Sequence, residues 1–364
     1  MASPRALPAL TGLRGLAALW VVAFHATGFL AEAPRGLDRR YLGVDLFFIL
    51  SGYVLTHVYG DRLASGRMDE AMRFLGRRIA RLWPVWLAAL GLFAAKAEIG
   101  RWTGLGGDAS RVGDDPSTWI VFALLVQSWG WVDPERLNPP GWSLSYEWAA
   151  SLLFPALAVA VARLRSRAAA AVLAGGCLAL VAAWCALRGL PTLHAHAAFG
   201  VRAGAEFLAG VLIFRAWPPD DAGRWPSLLS SPWPWLVALA GTLVVLPRHL
   251  GVELGAVATF ALLVPASCRA DGALVRVLAH PWLLGLGERS CALYATHWLV
   301  VETLWNLFPR LSAPVADGFR LGFFVATLCG AGMLASAMYR CVEAPARRGV
   351  QAWVARGLAG RNGV

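Results

Sequence analysis

Two ionisable side chains, Arg14 and His25, lie inside the first apolar segment of the chain, LTGLRGLAALWVVAFHATGFL. An arginine at the centre of a membrane helix costs about 2.5–3.5 kcal/mol, so such residues usually mark a water-filled site, a proton relay or a substrate path. Their spacing is about three helical turns, which places both on nearly the same face, roughly 16 Å apart. Imidazole suits general acid–base catalysis near neutral pH, so His25 is the first catalytic candidate. A snorkelling arginine and a structural histidine are the alternative.

The second apolar segment, GVDLFFILSGYVLT, carries Asp45 and Ser51. Asp45 is expected near the non-cytoplasmic end of this segment, toward which His25 also lies in the preceding one. A carboxylate beside an imidazole fixes the tautomer of the ring and raises its basicity, so Asp45 is a candidate to orient His25. The alternative is a carboxylate stabilised by the dipole at the start of a helix.

Three arginines, Arg77, Arg78 and Arg81, lie in the segment FLGRRIARLWP. Arg77 and Arg81 are four residues apart, so they share one face of a helix. Guanidinium groups match phosphate oxygens in geometry and charge, which makes the cluster a candidate phosphate site. On charge alone, anchoring to anionic lipid is the favoured interpretation.

A carboxylate, Glu147, follows a helix-breaking sequence in NPPGWSLSYEWAASLLFP. Ser143 is expected to cap the new helix after Trp142, which places Glu147 in its second turn. A carboxylate at that depth is costly unless it is paired or lines water. Glu147 is therefore a second candidate to orient His25, and a buried ion pair between two spans is the alternative.

Two later segments add weaker candidates. His297 lies in GERSCALYATHWLVV, where a core histidine bonded to a neighbouring helix is the favoured interpretation, and Glu343 lies in YRCVEAPARR beside a helix end. The six cysteines form no CxxC pair and are interpreted as small core residues, so no metal site is predicted. The absence of a P-loop, a GxSxG elbow and an HExxH motif argues against nucleotide hydrolases, serine hydrolases and zinc enzymes.

The elements that must position these residues are membrane helices. The chain of 364 residues is 58% hydrophobic and 15% charged, whereas soluble domains carry about 25% charged residues. Apolar runs of spanning length recur to the end, which predicts an all-α polytopic protein, a bundle of about ten transmembrane helices. The short apolar stretch 117–132 suits a re-entrant or interfacial segment. The spans are predicted at 10–31, 41–59, 82–100, 142–162, 168–188, 199–216, 233–250, 252–268, 290–308 and 319–341.

Arginines fix the predicted orientation. They concentrate in the loop after the second span, in the turn after the fourth and in the tail, all on the same side as both termini. The positive-inside rule makes that side cytoplasmic. The domain prediction is one transmembrane domain, 1–346, followed by a basic cytoplasmic tail, 347–364.

The order of these motifs resembles bacterial acyltransferase family 3, integral membrane O-acyltransferases, over nearly the whole chain and most strongly over 10–155. The family's signature of a basic residue and a histidine falls on Arg14 and His25. Its arginine motif falls on Arg77, Arg78 and Arg81, and its WSL-x-x-E motif on Trp142, Ser143 and Glu147. The chain departs from the family where Trp148 and Ala149 follow the glutamate, since a second acidic residue is frequent there.

The resemblance implies transfer of an acyl group, commonly acetyl, from cytoplasmic acyl-coenzyme A to a hydroxyl of a carbohydrate or macrolide-type acceptor. No bound cofactor, metal or nucleic acid is expected, and the chain looks like the stand-alone form without an SGNH domain. His25, Asp45, Glu147 and Arg14 would be catalytic, and the three arginines would bind the donor. Ser51, Trp142, Ser143, His297 and Glu343 would be structural or lie on the acceptor side.

Two other classes of function stay open. A transporter or flippase would use the same intramembrane charges as a relay, and a scaffold would carry a degenerate site. The expected location is the bacterial cytoplasmic membrane, which is the inner membrane where a cell has two, with both termini cytoplasmic.

Overall fold

The computed structural model describes residues 6–30, 40–103, 115–219, 226, 231–246, 249–269, 272–308 and 317–359. These residues are helical almost throughout and contain no strand. The helices are α1 (Pro8–Ala26), α2 (Gly43–Leu63), α3 (Met68–Thr103), α4 (Pro116–Ala123), α5 (Trp142–Ala162), α6 (Arg167–Leu187), α7 (Phe199–Ala216), α8 (Trp233–Val244), α9 (Leu250–Arg269), α10 (Ala273–Leu278), α11 (Pro281–Glu288), α12 (Ser290–Leu307), α13 (Asp317–Met338) and α14 (Ala344–Ala359).

Each of the ten predicted spans falls on a helix. Eight helical stretches in the described residues are long and apolar enough to cross a bilayer. The remaining two predicted spans correspond to α8, which covers only 12 residues, and to α12, which covers 18. An apolar run in lipid must satisfy its own backbone hydrogen bonds, and a helix does so within the segment. The chain is therefore an all-α polytopic membrane protein.

The stretch 117–132 does not form a full span. It contains α4, of eight residues, and a single 3-10 turn at Gln127–Trp129. Asp115 caps α4 by accepting hydrogen bonds from Ser117, and these bonds hold the pKa of the Asp115 carboxyl below its usual range. About 20 residues are needed to cross the hydrocarbon core, so this segment is too short.

The helices form two compact units. The first unit contains α1 as far as Phe24, α2, α5 from Leu153 onward, and α6–α11. The second contains the end of α1 from His25, α3, α4, α5 as far as Leu152, and α12–α14. The predicted boundary at 346/347 lies inside α14, which continues to Ala359, and residues 360–364 lie outside the described part.

In the first unit, α2 packs closely against α7. A Cβ atom built on Gly52 would lie 2.1 Å from the carbonyl oxygen of Phe207, and one on Gly210 would lie 2.1 Å from that of Ile49. Small residues let membrane helices approach until their backbones touch, which is how such helices gain packing energy in lipid. The two glycines therefore set the distance at which α2 and α7 pack.

We expect Gly210→Ala to destabilise the protein by about 1–3 kcal/mol, because the added methyl group has no room and must push the helices apart. Gly204→Ala, on the same helix, is the matched control, since no atom lies within 4 Å of its added Cβ. The control should be neutral or stabilising by about 0.5–1 kcal/mol. Denaturant unfolding in detergent measures both. Equal stability of the two variants would contradict this account of the contact.

In the second unit, α3 is the central element. It packs against α12 and α14 and against the π-helical turn Tyr339–Glu343 that joins α13 to α14. Trp86 of α3 is fully buried and donates a hydrogen bond from Nε1 to the carbonyl oxygen of Phe122 at 2.6 Å. These contacts place α12 beside α3, and α12 carries the residues on which the site depends.

Candidate functional site

Two histidines from distant parts of the chain meet in the second unit. His25, at the end of α1, and His297, in α12, are joined by a hydrogen bond of 3.1 Å between Nδ1 of His25 and Nε2 of His297. His297 is fully buried, whereas His25 is partly exposed. The ring of Trp298 packs edge-on against His25, with 5.3 Å between the ring centroids. The partner of His25 is thus a second imidazole, which the sequence did not predict.

The start of α5 is bonded to the same helix as His297. The hydroxyl of Ser143 donates to the hydroxyl of Tyr294 at 2.6 Å, and Tyr294 donates to the carbonyl oxygen of Pro140 at 3.0 Å. Asn138, fully buried, donates to the carbonyl oxygen of Ala295 at 2.9 Å. The expectation that Ser143 caps α5 is wrong, because Ser143 lies inside the helix and bonds to α12 instead.

The ring of Tyr294 also packs on His297, with 5.7 Å between the ring centroids. The motif around Ser143 and the motif around His297 therefore meet at one place. Contacts of fixed geometry on both sides hold the His297 ring still, as a reactive imidazole pair requires.

Glu147 is paired with an arginine of the predicted phosphate cluster. Arg78 of α3 donates from Nη2 to the Glu147 carboxylate and from Nε to Ser151 at 3.0 Å. The Arg78 side chain is only 7% exposed, and that of Glu147 is 23% exposed. The interpretation of Glu147 as a partner of an arginine, left open as the alternative, fits this arrangement. The pair joins α3 to α5, and the roles predicted for Glu147 beside His25 and for Arg78 at a phosphate stay predictions.

The other two arginines of the cluster, Arg77 directly before Arg78 and Arg81 three residues after it, are partly exposed. The backbone carbonyl of Arg81 accepts a hydrogen bond from the thiol of Cys291 at 3.6 Å, so this turn of α3 touches the first turn of α12. Arg289, which precedes α12, packs its guanidinium over the ring of Tyr339 at 6.0 Å. The backbone of Arg81 and the residue Arg289 therefore lie at the start of α12, which is the positively polarised end of that helix.

Asp45 is bound to an arginine in the first unit. Both of its carboxylate oxygens accept hydrogen bonds from Arg202 of α7, and both side chains are fully buried. Arg202 also donates to the carbonyl oxygens of Leu193, at 3.0 Å, and Tyr41, at 3.4 Å. Asp45 was expected to orient His25. That role stays a prediction, and the contact that the structure shows for the Asp45 carboxylate is the one with Arg202.

Two further carboxyl groups belong to the same buried network. Glu253 of α9 accepts a hydrogen bond from the Tyr41 hydroxyl and another from the backbone N–H of Leu193 at 2.7 Å. Glu206 lies one turn after Arg202 on α7 and interacts with both Arg202 and Asp45. The network ties α2, α7 and α9 to one another, which gives it a structural role in the first unit.

The remaining predicted site residues lie on the expected helices. Arg14 is partly buried in α1 but belongs to the first unit, whereas His25 belongs to the second. Ser51 is partly buried in α2, and Trp142 begins α5 and is buried. Glu343 is buried in the π-helical turn and lies 3.6 Å from Arg347. The roles predicted for these four residues stay predictions.

Sequence reasoning missed several polar residues that the structure places at these sites. Tyr294 and Asn138 stood inside motifs that were singled out, yet only contacts across the fold show their function. Arg202 and Glu206 could have been found from the sequence, since two charged residues four positions apart inside an apolar span require partners of opposite charge or hydrogen-bonding groups. The six cysteines are free, and two expected in the core, Cys329 and Cys341, have exposed side chains.

The histidine pair can accept a proton and hold the resulting charge. A neutral imidazole bonded through one nitrogen keeps a lone pair on the other, which is the arrangement of a general base or a nucleophile. The arginines around the start of α12 can bind an anionic group. The described residues therefore place a candidate base beside the middle of α12 and two candidate anion-binding arginines, Arg81 and Arg289, near its start.

Known proteins match this chain over most of its length. The model of the acyltransferase domain of acyltransferase family 3 matches residues 7–338. Acyltransferase MdmB from Streptomyces mycarofaciens is 30% identical over 329 residues, which cover 81% of this chain and 79% of that protein. No solved structure matches.

Two other relatives match shorter parts of the chain. Protein 2 in the picA locus of Rhizobium radiobacter is 48% identical over 86 residues, 24% of this chain and 43% of that protein. O-acetyltransferase OatA from Staphylococcus aureus is 34% identical over 84 residues, 23% of this chain and 13% of that protein. The chain thus spans less than half the length of these two relatives and about four fifths of MdmB. Because the family match extends over residues 7–338, the chain belongs to acyltransferase family 3 and is a multi-pass membrane protein with the acyltransferase domain of that family.

Proposed function

We propose that this acyltransferase moves an acyl group, acetyl in the simplest case, from acyl-coenzyme A to a hydroxyl of a carbohydrate or macrolide-type acceptor. The observation that carries the proposal is the hydrogen bond between His25 and His297 at the end of α1. This bond makes His25 the candidate base, since a hydroxyl needs a base to attack a thioester.

The donor is held by its phosphates. Arg77 and Arg81 supply guanidinium groups, and the first turn of α12, beside Arg81, adds the positive end of a helix dipole. Arg78 does not take part directly, because its charge is neutralised by Glu147. His297 lies six residues beyond Cys291, which is about 9 Å along α12. The thioester end of an extended donor is thus directed from the arginines toward the histidines.

The proton of the acceptor hydroxyl passes through His25 to the sulfur of coenzyme A. His25 takes the proton from the acceptor hydroxyl as its oxygen attacks the thioester carbon. The carbon–sulfur bond then breaks, and the coenzyme A sulfur leaves as a thiolate that recovers the proton from His25. A covalent acyl-histidine followed by attack of the hydroxyl gives the same products, and both routes need His25.

The protein works in the bacterial cytoplasmic membrane with both termini in the cytoplasm. Arginine-rich segments on the side of the termini support this orientation through the positive-inside rule. The donor arginines then face the cytoplasm, where acyl-coenzyme A is found. An acceptor that reaches His25 from the opposite side would need a path through the bundle, for which polar residues at membrane depth are suited.

Donor-dependent transfer in purified protein tests the proposal. Protein in nanodiscs is mixed with radiolabelled acetyl-coenzyme A and a panel of glycans and macrolides, and the labelled ester is followed. Ester formation that requires both donor and acceptor supports an O-acyltransferase. Uptake of labelled solute into proteoliposomes, without ester formation and without donor binding, would overturn the proposal in favour of a transporter.

We expect Arg81→Met to weaken donor binding by about 10–100-fold, because a hydrogen bond to a charged group contributes about 1.5–3 kcal/mol. Calorimetric titration with coenzyme A measures the loss. Arg165→Met is the matched control, since Arg165 is an exposed arginine in the turn between α5 and α6 and carries the same charge. If both variants bind coenzyme A as the wild type does, the arginine turn of α3 is not the donor site.

A further inference from the structure

We propose that His297 is the positioning residue of His25: it fixes the tautomer in which Nδ1 of His25 carries the hydrogen and Nε2 carries the reactive lone pair. The catalytic consequence rests on the proposed function. The tautomer itself is a property of the structure and is measurable without any activity.

His297 is the buried member of the pair. Nδ1 of His297 lies 2.9 Å from the carbonyl oxygen of Tyr294 and 3.2 Å from that of Leu293. Carbonyl oxygens only accept hydrogen bonds, so Nδ1 of His297 must carry a hydrogen. His297 is fully buried, and an imidazolium there would lose its hydration, which favours the neutral ring. A neutral ring with its hydrogen on Nδ1 has a lone pair on Nε2.

The lone pair on Nε2 of His297 determines which nitrogen of His25 carries the hydrogen. Nε2 of His297 is the acceptor in the 3.1 Å bond, so Nδ1 of His25 must be the donor. A neutral His25 then has its lone pair on Nε2. The backbone of α12 thus sets the tautomer of a histidine in α1 through one intervening ring, without a carboxylate.

The same geometry fixes where charge resides during the reaction. When His25 accepts a proton on Nε2, its Nδ1–H still donates to His297, and the bond becomes charge-assisted and stronger. His297 cannot pass the proton onward, because its Nδ1 hydrogen is already bonded to two carbonyl oxygens. The positive charge therefore stays on His25, from which the departing thiolate can recover the proton. A carboxylate partner would instead neutralise that charge.

The first test is the ¹⁵N spectrum of histidine-labelled protein in nanodiscs. The chain has seven histidines, and the signals of His25 are those that disappear in His25→Gln. We expect a protonated Nδ1 and an unprotonated Nε2 for His25 in the wild type. A His25 ring with its hydrogen on Nε2 would overturn the proposal directly, and that result requires no measurement of activity.

Two variants of His297 separate positioning from packing. His297→Phe keeps a buried ring but removes the acceptor, whereas the amide oxygen of His297→Gln can accept from Nδ1 of His25. We expect the phenylalanine variant to shift His25 toward the Nε2–H tautomer and to lower kcat by about 10–100-fold, as loss of an outer orienting partner does at other histidine sites. The glutamine variant should keep the wild-type tautomer and most of kcat, with KM for the donor unchanged in both.

Equal loss of kcat in the two variants, with the tautomer of His25 unchanged, would show a purely structural role and overturn the proposal. Failure of the proposed function has a different signature. If His25→Ala transfers acyl groups normally while the spectrum of the wild type has the predicted tautomer, the catalytic assignment of His25 fails and the positioning role of His297 stands.

Discussion

His25→Ala is expected to lower the rate of acyl transfer by about 10²–10⁴-fold, the range that a positioned general base contributes. The substitution removes the nitrogen that takes the proton from the acceptor hydroxyl, and no other described side chain is bonded to His297 through Nε2. A loss beyond the upper end of the range would favour the acyl-histidine route, in which the same residue is also the nucleophile. The measurement is the initial rate of ester formation at saturating donor.

Donor binding and folding should survive this change. His25 is partly exposed and lies near the end of α1, and the donor site is proposed at the start of α12, about 9 Å along that helix from His297. The affinity for coenzyme A should therefore stay within a few-fold of that of the wild type. His280→Ala, an exposed histidine between α10 and α11, is the matched control and should transfer at the normal rate. A His25→Ala protein with undiminished transfer would refute the assignment.

Arg202→Met is expected to destabilise the first unit by about 3–5 kcal/mol, the cost of leaving a buried charge without its partner. Arg202 and Asp45 are in direct contact and are both fully buried, each with a side-chain exposure of 0%. Removing the guanidinium leaves the carboxyl groups of Asp45 and Glu206 side by side without a positive charge. It also leaves the backbone carbonyls of Leu193 and Tyr41 without the hydrogen bonds that Arg202 donated. Denaturant unfolding in detergent measures the loss as a shift of the midpoint.

The double variant distinguishes a lost charge from lost packing. Asp45→Leu combined with Arg202→Met removes both charges and should recover most of the stability, because an apolar pair of similar volume replaces a buried ion pair at little net cost. Arg215→Met is the control on the same helix. Arg215 is partly buried and bonds only to the carbonyl oxygen of Leu164 at 2.8 Å, so about 1 kcal/mol is expected. A double variant as unstable as Arg202→Met would show that the pair is needed for its shape.

The two expectations concern residues that looked alike in the sequence. His25 and Asp45 were both polar groups in apolar segments, and both were assigned to one catalytic pair. The structure gives them different partners and different units. His25 is bonded to His297 and is the proposed base, whereas Asp45 is bonded to Arg202 and helps to hold α2 and α7 together.

The sequence by itself determined the class of fold and the candidates for chemistry. Hydropathy acts locally, because each apolar run must form its own helix in lipid, so each of the ten predicted segments falls on an observed helix. The bounds were less exact, since α3 begins at Met68 and the predicted span began at residue 82. The cost of charge at membrane depth also acts residue by residue, which is why His25, Asp45 and Glu147 stood out. The length of an apolar run is also a local property, so the sequence alone predicted that the stretch 117–132 is too short to span the membrane.

Only the tertiary structure decided which polar groups meet. His25 and His297 are separated by 272 positions in the chain, Arg202 and Asp45 by 157, and Arg78 and Glu147 by 69. A buried charge requires a partner of opposite charge or a hydrogen-bonding group, but that requirement is met equally well by any such group that helix packing brings within reach. Local sequence specifies the need for a partner, and the close contacts of glycines such as Gly52 and Gly210 help to set which helices lie near enough to supply it.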